Sequence, residues 1–145
     1  MSSVFEKFSR GCDVDVNERF AQKYGVELET SKAMLSGIFE TGLQRHFELV
    51  EGRKEECVKH ILSEMEGSEF NEELILSKMY SAFTADMDVP VNFVLNNLNI
   101  LGLVDSNEEA GIKLRLEESL LITIENHMTG VVSNTIRILK TLLDR

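Results

Sequence analysis

The sequence predicts a mainly α-helical protein, and two observations support this fold class. Apolar residues recur every three or four positions along most of the chain, which is the spacing of one helical face. The 145 residues include a single proline, the residue that most strongly interrupts helices. A chain of this length suits one compact domain or two small ones.

The N-terminal half, residues 1–67, is predicted to form a helical subdomain. Its first helix is expected to begin near Asp13 or Asp15, because either side chain can cap a helix, and to end at Gly25. An alternative places a short strand over residues 4–8 ahead of two helices, as in a ribbon-helix-helix dimer. That strand offers few basic or amide side chains to a DNA groove, so the ribbon-helix-helix alternative is disfavoured.

The second segment, residues 31–66, has the strongest helical periodicity in the chain, with Thr30 and Ser31 as expected caps. Gly52 lies in its middle, where glycine costs a helix about 1 kcal/mol relative to alanine. The segment is therefore predicted to be either one long helix or a helical hairpin. Its apolar face comprises Met34, Leu35, Ile38, Phe39, Leu43, Phe47, Val50, Val58, Ile61, Leu62 and Met65.

The C-terminal half, residues 68–145, is predicted to be a second subdomain that begins with two helices. A breaker and small polar residues over 67–71 mark the boundary, although the two halves could also form one compact domain. The helices are expected over 71–83 and 90–101, with Pro90 in the first turn of the second.

Two strands joined by a loose hairpin are predicted after these helices. Leu103 and Val104 lead into a polar stretch, and residues 112–116 alternate between apolar and basic side chains. Residues 120–128 suit either a strand or a helix. A closing helix after Gly130 is expected to serve as a docking or dimerisation helix, through Val132, Ile136, Leu139, Leu142 and Leu143.

The order helix, short link, helix and hairpin over residues 71–116 resembles the winged-helix family, above all in the segment VLNNLNILGLV at 94–104. The resemblance implies a recognition helix at 90–101 and a β-hairpin wing. It departs from the family at 84–89, which leaves room for one helical turn at most where a further helix is expected. The alternative is a helical hairpin followed by two strands, without a family relation.

Charge argues against nucleic acid as the partner. The net charge is −10, and residues 79–112 contain no Lys or Arg but five acidic residues. Phosphate contacts from Lys and Arg supply most non-specific affinity for DNA. Asn92, Asn96 and Asn99 share one face of the predicted helix, where they would pair with adenine edges or face another protein.

No catalytic, cofactor or metal site is predicted. The sequence lacks the GxSxG, HExxH, GxxxxGK and GxGxxG motifs. Cys57 and His60 share a helical face, but a structural zinc site needs four ligands, and no spacing recruits His46 or His127. A small hydrolase or metal enzyme is thus the least favoured class.

The expected function is a non-enzymatic, acidic protein-interaction module that acts as a regulator, adaptor or assembly factor and forms a homodimer. The alternative is a winged-helix DNA-binding transcriptional regulator. The two cysteines form no disulfide framework, and neither a secretory signal nor a membrane span is expected, so the expected compartment is the cytoplasm.

Overall fold

Six helices account for the regular structure of the chain in a computed structural model that describes residues 3–64 and 71–143. Their order is α1 (Val4–Gly11), α2 (Val16–Tyr24), α3 (Leu28–Glu64), α4 (Glu72–Thr84), α5 (Asp88–Ile100) and α6 (Glu109–Leu143). No strand occurs in either described range. The predicted mainly helical character is confirmed, and the predicted β-hairpin wing is wrong.

Local capping sets the two short helices. The Ser3 hydroxyl accepts a hydrogen bond from the Glu6 backbone N–H at the start of α1, so residues 4–8 form a helix rather than the alternative strand. Asp15 caps α2 through the backbone N–H of Glu18. Gly25 ends α2 in the left-handed region with a φ of 65°, as predicted.

The segment predicted as one or two helices is the single 37-residue helix α3. Gly52 lies exposed within it, where its helix-weakening effect is tolerated. The predicted cap at Thr30 or Ser31 is wrong, because α3 begins earlier, at Leu28. Ser31 is instead buried, and its hydroxyl donates to the Asn17 carbonyl, which ties α3 to α2.

The second predicted strand is the start of α6, a 35-residue helix. Ile112 and Leu116 are buried, whereas Leu114 between them is 57% exposed, so the side chains follow a helical repeat. The alternation of apolar and basic residues over 112–116 is therefore a short part of a helical stripe, whose buried residues are mostly four positions apart. The buried stripe continues through Leu120, Ile124, Met128, Val132, Ile136 and Leu139.

The first predicted strand, at Leu103 and Val104, is the exit from α5. Gly102 adopts a φ of 70°, its N–H donates to the Asn99 carbonyl, and the Leu103 N–H donates to the Leu98 carbonyl. These two bonds form a Schellman motif, which closes a helix end. The apolar-Gly-apolar step therefore caps α5, and no wing strand follows it.

The chain forms two compact units, each built from separate parts of the sequence. One unit combines Met1–His46 with Met87–Thr123, and the other combines Phe47–Asp86 with Ile124–Arg145. The predicted halves, 1–67 and 68–145, are contiguous in sequence, whereas these units are not. Most of the predicted boundary, residues 67–70, lies outside the described residues, and Asn71 caps α4. Within the described ranges, no helix is long and apolar enough to cross a membrane.

Candidate protein-interaction surface on α5

The inner side of α5 is fixed by a close approach to α3. Val91, Val94 and Leu98 are buried. Gly42 of α3 lies so close that a Cβ on it would stand 3.0 Å from Val94 Cγ2 and 3.5 Å from the Pro90 carbonyl oxygen. The backbone of α3 at Gly42 thus packs directly against the Val94 side chain of α5. This contact determines which side of α5 faces outward.

The C-terminal end of α5 is held by α2. The Tyr24 hydroxyl donates to the Leu101 carbonyl at 2.8 Å, and Arg19 Nη1 donates to the Leu103 carbonyl at 3.0 Å. The Tyr24 bond satisfies a carbonyl group that the helix end would otherwise leave to water, and the Arg19 bond holds the segment that leaves α5. The last turn of α5 is therefore positioned by side chains from distant parts of the sequence.

An ion pair between Arg19 and Glu108 lies at the same, C-terminal end of α5. Arg19 Nη1 lies 2.6 Å from Glu108 Oε1, and Nη2 lies 2.8 Å from Oε2, which is the two-pronged geometry of strong carboxylate recognition. Glu108 also accepts from the Asp105 backbone N–H at 3.2 Å. The Arg19 guanidinium holds the pKa of Glu108 at about 2, well below its ordinary value of 4.5.

We expect Glu108→Gln to lower the free energy of unfolding at neutral pH. Because the folded-state pKa lies below the ordinary value, the ionised carboxylate stabilises the fold above about pH 4.5. That contribution is lost as the pH falls toward about 2, so the difference between wild type and variant should shrink over this range. Urea unfolding of both proteins at a series of pH values measures this difference in the free energy of unfolding. Glu117→Gln, at an exposed position on α6, is the control, and a Glu108 effect independent of pH would contradict the prediction.

The outward side of α5 brings together the three predicted asparagines. Asn92, Asn96 and Asn99 are all exposed. They share this side with the exposed apolar residues Val89 and Ile100, of which Ile100 is 81% exposed. We call this surface, together with the half-buried Phe93, the α5 face; it comprises Val89, Asn92, Phe93, Asn96, Asn99 and Ile100.

The α5 face is uncharged, yet two cations lie beside it. Residues 89–104 contain no charged side chain. The Arg45 guanidinium from α3 lies 4.3 Å from the centre of the Phe93 ring. The Lys23 ammonium from α2 lies against the α5 exit, where a Cβ on Gly102 would overlap it. Both cations lie outside residues 79–112, so the charge pattern of that stretch did not predict them.

The predicted dimerisation helix forms the last part of α6, and most of its predicted contact side chains face inward. Val132, Ile136 and Leu139 are buried in the chain itself, whereas Leu142 is 40% exposed. Leu143 ends α6, and its side chain lies outside the described residues. Dimerisation through this helix remains a prediction, and its exposed apolar side chains are Leu142 and the neighbouring Ile138.

Cys57 and His60 line an open groove between α3 and α4. Burial raises the pKa of the Cys57 thiol and nearby Lys78 offsets only part of that effect, which is the opposite of what a reactive thiolate requires. His60 Nε2 lies 3.0 Å from Glu64 Oε1. Across the described ranges, no group of three His, Cys, Asp or Glu side chains is placed to hold a metal ion.

A cavity of about 460 Å³ lies between the α1–α2 connection and the start of α6. Arg115 lies across its wall, against Gly11, where a Cβ would overlap the guanidinium. Two of its charged residues, Glu108 and Arg115, already pair with Arg19 and Glu118. We therefore assign no ligand to this cavity.

Comparison of the chain with family models, curated proteins and solved structures found no match.

Proposed function

We propose that the chain is a non-enzymatic protein-interaction module that binds a protein partner through the α5 face. The observation that carries this proposal is an exposed helix face without charge on a molecule with a net charge of −10. Protein interfaces are depleted of charged residues at their centre. Such a module acts as a regulator, adaptor or assembly factor according to the protein that it binds.

The exposed apolar residues at the two ends of the α5 face support contact with a protein. Ile100 is 81% exposed and Val89 is 39% exposed, and the three asparagines lie among them. Covering such side chains contributes about 25 cal/mol per Å² of apolar surface removed from water. Amide side chains add hydrogen bonds without the desolvation cost of a charge.

The surroundings of the α5 face disfavour DNA. Arg45 and Lys23 are two cations, whereas a DNA-binding protein typically makes about six to ten phosphate contacts. Asp88, in the first turn of α5, adds a negative charge at the other end. Salt-sensitive binding of duplex DNA would contradict the proposal.

Site-specific photo-crosslinking in a native extract tests the proposed function. A benzoylphenylalanine placed at Asn96 should form discrete crosslinks to protein, and the same probe at Glu117 on α6 should not. Combining the Asn96 probe with Ile100→Glu should remove the crosslinks, whereas Ile122→Glu should not, because Ile122 is exposed on another helix. The proposal fails if no crosslink depends on Ile100.

A further inference from the structure

We propose that the protein covering the α5 face is a second copy of this chain, packed with its α5 antiparallel to that of the first. This inference rests on the proposed function of the α5 face and names its partner. Three features support it, namely the spacing of the residues on the face, the charges at its two ends and the absence of charge along residues 89–104.

The spacing on the α5 face suits packing against another helix. Val89, Phe93, Asn96 and Ile100 are separated by four, three and four positions. This is the repeat that keeps one stripe of side chains facing a partner helix in a coiled coil. The opposite side of α5 is already buried within the chain. Phe93 is half-buried beside Gly42 and Arg45 of α3, so Val89, Asn96 and Ile100 are the exposed part of the stripe.

The stripe is symmetric about its midpoint, between Val94 and Leu95. An antiparallel second copy therefore places Val89 of each chain opposite Ile100 of the other. It likewise places Phe93 of each chain opposite Asn96 of the other. This is the self-complementary contact of a two-fold dimer, in which each residue meets the same counterpart on both sides. Apolar side chains meet at both ends, and the asparagine meets a ring edge flanked by the Arg45 guanidinium.

The charges at the two ends are complementary in the antiparallel arrangement. Asp88 lies in the first turn of α5, and the Lys23 ammonium lies at the opposite end beside Gly102. Lys23 contacts the Tyr24 ring, and the structure shows no carboxylate paired with it in the described part of the chain. An antiparallel copy brings Asp88 of each chain beside Lys23 of the other. A parallel copy would instead place Asp88 beside Asp88.

The net charge of the chain opposes self-association, and the α5 face adds nothing to that repulsion. Two copies that each carry −10 repel one another, but residues 89–104 bring no charge of their own to the contact. One face of a 13-residue helix is smaller than the roughly 800 Å² per partner of a standard interface. The dimer is therefore expected to be weak and to depend strongly on protein concentration.

Sedimentation velocity of the purified full chain, from about 5 to about 500 µM, tests the inference. The wild type should shift toward a dimer as the concentration rises, and Ile100→Glu should weaken association by about tenfold or more. Ile122→Glu is the matched control and should leave association unchanged. Loss of association in Ile138→Glu, but not in Ile100→Glu, would place the contact on the end of α6 and overturn the inference.

A charge exchange tests the antiparallel arrangement. Asp88→Lys alone and Lys23→Glu alone each create two like-charge contacts and should each weaken the dimer by several fold. A mixture of these two variants should form a heterodimer in which both contacts are again attractive, with near wild-type affinity. No recovery in the mixture would overturn the antiparallel pairing.

The two proposals fail in different ways. A purified chain that stays monomeric up to about 500 µM overturns self-association. If the probe at position 96 still forms crosslinks to a different protein in the extract, and these crosslinks depend on Ile100, the proposed function stands. If neither association nor crosslinking occurs, both proposals fail.

Discussion

Phe39→Ala is expected to lower the free energy of unfolding by about 3–5 kcal/mol, the usual cost of removing a fully buried ring from a core. Phe39 is completely buried. Its ring centre lies 5.2 Å from that of Phe5 in an edge-on arrangement and 5.1 Å from that of Phe8 in a tilted one. The substitution would leave a cavity where α1 packs on α3 and would also remove two aromatic contacts.

Urea unfolding followed by far-ultraviolet circular dichroism measures this effect. With a denaturant slope of about 2 kcal/mol per M, the midpoint should fall by about 1.5–2.5 M. Met34→Ala is the control, because Met34 lies in the same helix but is 54% exposed, and it should change the unfolding free energy by no more than about 0.5 kcal/mol. Equal shifts in the two variants would show that α1 is not docked through Phe39.

Sequence periodicity predicted the helices well wherever it extended over several turns. The predicted segments 71–83 and 90–101 match α4 and α5 to within two residues, and Gly25 and Gly102 end helices as expected. Long stripes identify helices because one helical face must be buried to stabilise them. The same stripe could have identified α6, since its spacing of mostly four runs from Ile112 to Leu139.

Two of the errors in secondary structure arose in short windows. Residues 112–116 alternate in polarity, but five residues do not distinguish a strand from one turn of an amphipathic helix. The helix α1 was missed because it has only eight residues. Its signal was present in Ser3 and Glu6, whose spacing matches a capping box.

The asparagine face was predictable, but its surroundings were not. The spacing of Asn92, Asn96 and Asn99 placed them on one side of α5, and the structure leaves all three exposed. The placement of Lys23 and Arg45 depends on tertiary packing. The contact between Tyr24 and Leu101, for example, joins residues 77 positions apart, which no local pattern reveals.

Two glycines in α3 are expected to respond in opposite ways to substitution by leucine. A Cβ on Gly37 meets no atom within 4 Å, so Gly37→Leu should stabilise the helix by about 0.5–1 kcal/mol through its higher helix propensity. A Cβ on Gly42 would stand 3.0 Å from Val94 Cγ2. Gly42→Leu should therefore push α3 and α5 apart and cost about 1–3 kcal/mol of overpacking.

Thermal unfolding of both variants, together with sedimentation of Gly42→Leu, connects this contact with the α5 face. The overpacked variant should melt at a lower temperature than wild type, whereas Gly37→Leu should melt at a higher one. Because the approach at Gly42 determines which side of α5 faces outward, displacing α5 should also weaken any association through Ile100. A Gly42→Leu protein as stable as wild type would mean that α3 and α5 are not in close contact at Val94.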